Sequence, residues 1–122
     1  MAKILVVDDE ASVAAFVKRA LAHAGHAVTT APNGHAAVAA LAAQPFELLL
    51  SDIVMPGLDG IALALKAAKD YPAMKIMLMS GYESERRRAH NLEALAHRII
   101  AKPFTLDELC SAVAAALAEG AA

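Results

Sequence analysis

The sequence predicts a parallel α/β sheet covered by helices on both faces, and three observations carry that prediction. Four short apolar runs, residues 4–7, 47–50, 76–79 and 98–101, are nearly continuous rather than alternating, as suits strands buried on both sides. Amphipathic helical stretches separate them. The strand-then-helix unit recurs five times, an order that requires parallel strands joined by right-handed crossovers.

Each element has its own signal. After the first strand, Val13, Phe16, Val17, Ala20, Leu21 and Ala24 recur at the spacing of one buried helical face, and Gly25 ends that helix. Residues 28–30 form a weaker strand, expected at a sheet edge. Asn33-Gly34 opens a second helix with Val38 and Leu41 inward, and Asp59-Gly60 opens a third with Ile61, Leu65 and Ala68 on one stripe. Residues 84–95 make the poorest helix, polar and anchored only by Leu92 and Leu95, so it is expected to be the most mobile element. Thr105-Leu106-Asp107-Glu108 fits a capping box, and Leu106, Leu109, Val113, Ala116 and Leu117 supply the last buried stripe. Residues 119–122 are a tail short enough to fray.

Composition narrows the class. The chain's 122 residues and 12.7 kDa suit one domain, residues 1–122. Thirty-one of the residues are alanine, so the 58% hydrophobic fraction reflects packed helices more than a lipid-facing surface. A net charge of −2 leaves no basic field to hold nucleic acid. The single cysteine, Cys110, excludes an internal disulfide and a cysteine-based zinc site. Residues 20–46 hold no Asp, Glu, Lys or Arg, which is long enough for a membrane span, but Pro32-Asn33-Gly34 and three histidines interrupt it. The N-terminus meets acid too early for a signal peptide. A cytoplasmic protein with no membrane role is expected, either a monomer or a weak dimer.

The chemistry collects where such folds place their sites, beyond the carboxyl ends of the strands. Strand one is followed by Asp8, Asp9 and Glu10. Strand three ends at Asp52, strand four at Ser80 and strand five at Lys102-Pro103. Carboxylates packed at ~4 Å repel by roughly 4 kcal/mol per pair at an effective dielectric of about 20, so something has to offset them. Magnesium would, because it favours one or two carboxylates together with water and a phosphate. Lys102 adds a positive charge and Ser80 a hydroxyl. These are parts for phosphoryl transfer, with Asp52 as the oxygen nucleophile.

At these residues the chain resembles the response-regulator receiver domains, the CheY-like family. The resemblance spans essentially all 122 residues and rests on Asp8-Asp9, the segment Asp52-Ile53-Val54-Met55-Pro56-Gly57-Leu58-Asp59-Gly60, Ser80, and Lys102-Pro103-Phe104. It implies a five-stranded sheet in the order 2-1-3-4-5. It implies that Asp52 accepts a phosphoryl group from a histidine kinase or phosphotransfer protein. Mg2+ would be bound directly by Asp9, Asp52 and the Val54 backbone carbonyl, and through water by Asp8. Lys102 would contact the phosphate, Ser80 would swing towards it, and the Lys102-Pro103 bond would be cis. The chain would be no enzyme beyond its own phosphorylation and dephosphorylation, and would present a protein target with the face of the fourth helix, fifth strand and fifth helix. Within the family, the runs around Asp52 and Ser80 look most like CpdR-type single-domain receivers, which control a regulated protease. Similar segments occur in receivers attached to hybrid histidine kinases. A standalone switch, a phosphorelay shuttle and a receiver piece of a hybrid kinase therefore remain open, with Met1 two residues before strand one favouring the first.

Two departures bear on switching. Receivers often carry Phe or Tyr three residues before the lysine. Here that position is Ile99, and Tyr82, two residues after Ser80, is a candidate to take over the task. Val54 and Tyr82 flank the expected path of attacking water, so their bulk should lengthen the life of the phosphorylated state. Other features read as structure. Asp59 caps a helix, Arg86-Arg87-Arg88 is a solvated face, and the five histidines show no ligand spacing. A flavodoxin-like carrier would find its cofactor phosphate repelled by Asp8-Asp9-Glu10. A dehalogenase-type phosphatase would lack its second acid two residues past the nucleophile.

Overall fold

The structure, a computed structural model, describes residues 2–81 and 98–119. In chain order the elements are β1 (Lys3–Val7), α1 (Ala11–His23), β2 (Ala27–Ala31), α2 (Gly34–Ala43), β3 (Leu48–Asp52), α3 (Gly60–Asp70), β4 (Lys75–Ser80), β5 (Arg98–Ala101) and the last described helix, α4 (Leu106–Ala118). The expected helix over residues 84–95 lies outside the described residues, as do the tail beyond 119, Tyr82 and the arginine run.

All four strand pairings are parallel, and the sheet order is β2-β1-β3-β4-β5. The weak strand is at the edge, as expected. The continuous apolar runs have their cause in two cores, one on each face of the sheet. Leu5, Leu49, Ile76 and Leu78 pack with Leu41 of α2 and Leu63 of α3 on one side. Ile4, Leu48, Leu50 and Met77 pack with Leu21 of α1 and Val113 of α4 on the other. With helices on both sides, alternate residues of each central strand are buried alike, so no polar face is needed.

The helix ends follow local chemistry. Beyond α1, the His26 amide bonds to the Leu21 carbonyl and the Gly25 amide to that of Ala22, with Gly25 at φ 100°. This left-handed termination needs a residue without Cβ strain. The Asn33 side chain accepts from the Ala36 amide, and that of Asp59 from the Ala62 amide. Both sides of the Thr105–Glu108 capping box are made.

Three expected stripes need correcting. In α1, Phe16 and Ala24 are exposed while Ala14 joins the buried face. In α3 the buried face is Leu63, Ala64 and Ala67. Leu65 is exposed, and Ile61 and Ala68 are only half-buried. In α4, Leu106 is exposed and Leu117 half-buried. Sequence spacing puts the large apolar residues inward, but alanines on the buried faces pack these helices against the sheet and leave Phe16, Leu65 and Leu106 outside. Strands β1 to β4 also differ from their expected runs by a residue or two, and in β3 and β4 backbone pairing continues through Ser51, Asp52 and Ser80.

Candidate functional site

The register of the sheet brings the polar strand ends together. Asp8 follows β1, Asp52 closes β3, Ser80 closes β4 and Lys102 follows β5. Ligand atoms of Asp8, Asp9 and Asp52 lie within 4.8 Å of one another, with Asp8 and Asp52 buried and Asp9 exposed. Lys102, arriving on the far strand, reaches between them. Its Nζ lies 3.2 Å from Asp8 Oδ2 and 3.3 Å from Asp52 Oδ1. The Lys102 amide bonds to the Ser80 carbonyl at 2.7 Å, and the Lys102-Pro103 peptide is cis, as expected from the resemblance.

The two oxygens of Asp52 are not equivalent. Oδ1 accepts from the Ile53 amide at 3.1 Å and faces Lys102, whereas no described residue donates to Oδ2. Burial pushes the Asp52 carboxyl up to about 6. The Lys102 charge opposes that rise, and the Asp8 charge adds to it. Burial alone would lower Lys102, but the Asp52 and Asp8 carboxylates outweigh it and hold the ammonium above its ordinary range. Asp8 is also locked, since its Oδ1 accepts from the Glu10 amide at 2.9 Å.

The donor set suits a hard divalent cation. Three carboxylates against one ammonium leave two negative charges in a partly dry pocket, and oxygen ligands of this kind are what magnesium takes. Ser80 is the second pointer. Its Oγ is buried with no hydrogen-bond partner among the described residues. An unpaired buried hydroxyl is costly, which suits a donor reserved for a ligand oxygen.

Other site residues of the sequence analysis are placed as follows. The Val54 side chain is 54% exposed, two residues past Asp52. Ile99 is half-buried opposite Leu78, packed on the α2–α3 side of the sheet, where it offers neither ring nor hydroxyl. The role expected of Tyr82 falls outside the described residues. Asp59 caps α3, as read from the sequence. Sequence reasoning missed Ser51, a fully buried hydroxyl donating to the Asp52 carbonyl at 3.0 Å. The signal was present, since Ser51 is the one polar residue interrupting Leu48-Leu49-Leu50 before Asp52. It also missed the fit of Gly60, where a Cβ would collide with the Asp52 carbonyl oxygen.

A doubly wound parallel sheet with an aspartate cluster, a lysine and a hydroxyl gathered at its carboxyl edge defines a class of α/β domains whose polar site lies beyond the strand ends. Comparison with known proteins makes this particular. Residues 4–114 match the response regulator receiver domain, and the chain belongs to that family, the receivers of two-component systems. It is 36% identical over 113 residues to the response regulator receiver protein CpdR of Brucella abortus, covering 93% of this chain and 94% of that one. It is likewise 36% identical over 114 residues to the DNA-binding transcriptional regulator NtrC of Salmonella typhimurium, covering 93% of this chain but only 24% of the longer protein. Among solved structures it is similar to response regulator TrrA of Thermotoga maritima in complex with Mg(2+)-BeF. The TM-score is 0.85 and the identity 32%, with 94% of this chain and 98% of that one covered. Among the described residues, no helix is long and apolar enough to cross a membrane.

Proposed function

We propose that this chain is a phosphorylation-dependent switch of a two-component system, accepting a phosphoryl group on Asp52 from the phosphohistidine of a kinase or phosphotransfer protein. The carrying observation is the asymmetry of Asp52. Lys102 and the Ile53 amide hold Oδ1, while Oδ2 is left without a donor among the described residues. Oδ2 attacks phosphorus, the bond from phosphorus to the donor's imidazole nitrogen breaks, and that nitrogen keeps the electron pair and takes a proton. Hydrolysis runs the same centre with water as nucleophile.

The acidic cluster fits Mg2+. Asp9, Asp52 and the Val54 carbonyl would hold it directly and Asp8 through water, and the ion would supply charge neutralisation for the transferring phosphoryl oxygens. Lys102, already between Asp8 and Asp52, is within reach of a phosphoryl group on Asp52. Ser80, whose hydroxyl has no partner among the described residues, supplies a donor for one of its oxygens. The exposed Val54 side chain crowds the approach of water, so Val54→Asn is expected to shorten the life of the phosphorylated form. An unchanged decay rate would refute that.

The chain performs no turnover beyond its own phosphorylation and dephosphorylation, works in the cytoplasm, and presents its target with a face that includes β5 and α4. Mg2+-BeF bound to TrrA supports the reading. The test is intact mass after incubation with phosphoramidate, for wild type and Asp52→Asn, with and without magnesium. One added phosphoryl group requiring both Asp52 and magnesium is expected. A folded wild-type protein that gains no mass in any condition would overturn the reading.

A further inference from the structure

The buried hydroxyl of Ser51 has no part in the chemistry above, yet it lies one residue from the phosphoacceptor. Period-two alternation along β3 puts Ser51 in phase with Leu49 and Ile53, both in the apolar core under α2 and α3. A hydroxyl there is expensive to bury unless it is bonded. Its Oγ donates to the Asp52 carbonyl oxygen at 3.0 Å.

Helix α3 also packs tightly against that carbonyl. Gly60, the first residue of α3, approaches so closely that a Cβ would collide with the Asp52 carbonyl oxygen, and the Gly60 amide donates to the Ile53 carbonyl at 2.8 Å. The peptide joining Asp52 to Ile53 is therefore held at its oxygen by Ser51 and wedged by Gly60. Its other end, the Ile53 amide, points at Asp52 Oδ1 at 3.1 Å and at the Met79 carbonyl at 3.1 Å. A peptide is a rigid plane, so fixing its oxygen fixes the direction of its N–H. That N–H, with Lys102, distinguishes Oδ1 from Oδ2.

We propose that Ser51 is a positioning residue for phosphoryl transfer. By anchoring the Asp52 carbonyl, its hydroxyl keeps the Ile53 amide on Oδ1 and presents Oδ2 to the donor. The inference rests on the phosphoacceptor reading of Asp52. It differs from a packing role, because it requires the hydroxyl and not merely the volume. Misaligning a nucleophile lowers the rate at saturation more than it weakens binding of a small phosphodonor.

The experiment uses the whole chain as Ser51→Ala and Ser51→Thr beside wild type. Phosphorylation by phosphoramidate is followed by intact mass over a range of donor and magnesium concentrations, and the Ile53 amide resonance is recorded without donor. For Ser51→Ala the maximal rate should fall about five-fold. Its half-saturating donor and magnesium concentrations should stay put, and the Ile53 amide proton should move upfield as its bond to Oδ1 weakens. Ser51→Thr, which keeps the hydroxyl, should restore both rate and resonance. Wild-type rates in Ser51→Ala would overturn the proposal. So would equal slowing in both variants, which indicates packing, or a loss expressed only in magnesium affinity. Wild-type protein that takes no phosphoryl group would sink the Asp52 reading and this role with it. The Ile53 resonance, which needs no phosphorylation, would then still report whether Ser51 sets the geometry.

Discussion

The two ends of one sheet are built on opposite terms. At the amino end the backbone groups are stitched together. The Ala2 amide donates to His26 Nδ1 at 3.1 Å and the Ala27 amide to the Ala2 carbonyl at 2.9 Å. Glu47 bridges three strands' worth of chain, donating its amide to the Lys3 carbonyl at 2.8 Å and accepting the Lys75 amide at 3.0 Å, while its side chain takes the Lys3 amide at 3.3 Å. At the carboxyl end, two carboxylates are buried against a shared lysine, a third stands beside them, and a buried hydroxyl has no partner among the described residues. The same parallel register produces both. It aligns the strand ends, and the residue types there decide whether that end is satisfied or poised. Satisfied ends add stability, and a poised end holds unfavourable contacts that a ligand can relieve.

The sharpest way to break this contrast is Gly60→Ala. The new methyl would strike the Asp52 carbonyl, backbone that cannot swing away. A loss of about 3 kcal/mol in urea-unfolding stability is expected, together with slower phosphorylation. A near-neutral result would mean the wedge at Asp52 is loose.

Next comes Asp52→Asn. The folded carboxyl titrates at about 6 against 3.8 for its ordinary value, so between those pH values the folded protein holds more protons than the unfolded chain. Stability then falls as pH rises through that window, and the cost of ionising Asp52 is fully present above it. Without magnesium, Asp52→Asn should therefore stabilise the protein at pH 8 by on the order of 2 kcal/mol, and by nothing at about pH 4. Urea unfolding at the two pH values measures it. A gain that does not depend on pH would refute the electrostatic origin. Saturating magnesium should shrink the pH 8 gain, because the ion stabilises only the wild-type cluster.

The amino end should show the opposite pH slope and a smaller effect. Burial lowers His26, the nearby chain terminus lowers it further, and Glu47 partly opposes them. A lowered histidine leaves stability intact above its unfolded value of 6.5 and erodes it as pH falls below, because the unfolded chain then binds the proton first. Protonation would also remove Nδ1 as acceptor for Ala2. His26→Ala should cost about 1 kcal/mol at pH 8 and flatten the loss below 6.5. Phosphorylation should be untouched. A change in phosphorylation rate would mean that the two ends are coupled.

Much of this protein was legible in its sequence. The unbroken apolar runs announced two-sided burial, the strand-helix repeat announced parallel strands, and Asn33, Asp59 and Thr105 announced helix starts, because each signal acts between residues close in the chain. Asp8, Asp9, Asp52, Ser80 and Lys102 were identifiable because each ends or follows a strand, and parallel strands share one functional edge. Helix faces were less legible. The spacing in α3 suits a stripe through Ile61, Leu65 and Ala68, yet the folded helix buries Leu63, Ala64 and Ala67 instead. What tertiary structure alone decided is relative position across the sheet. Strand register set Lys102 between Asp8 and Asp52, divided the two oxygens of Asp52, and brought Gly60 against the peptide that Ser51 holds. Those contacts join residues far apart in the chain, and no local propensity encodes a distance between them.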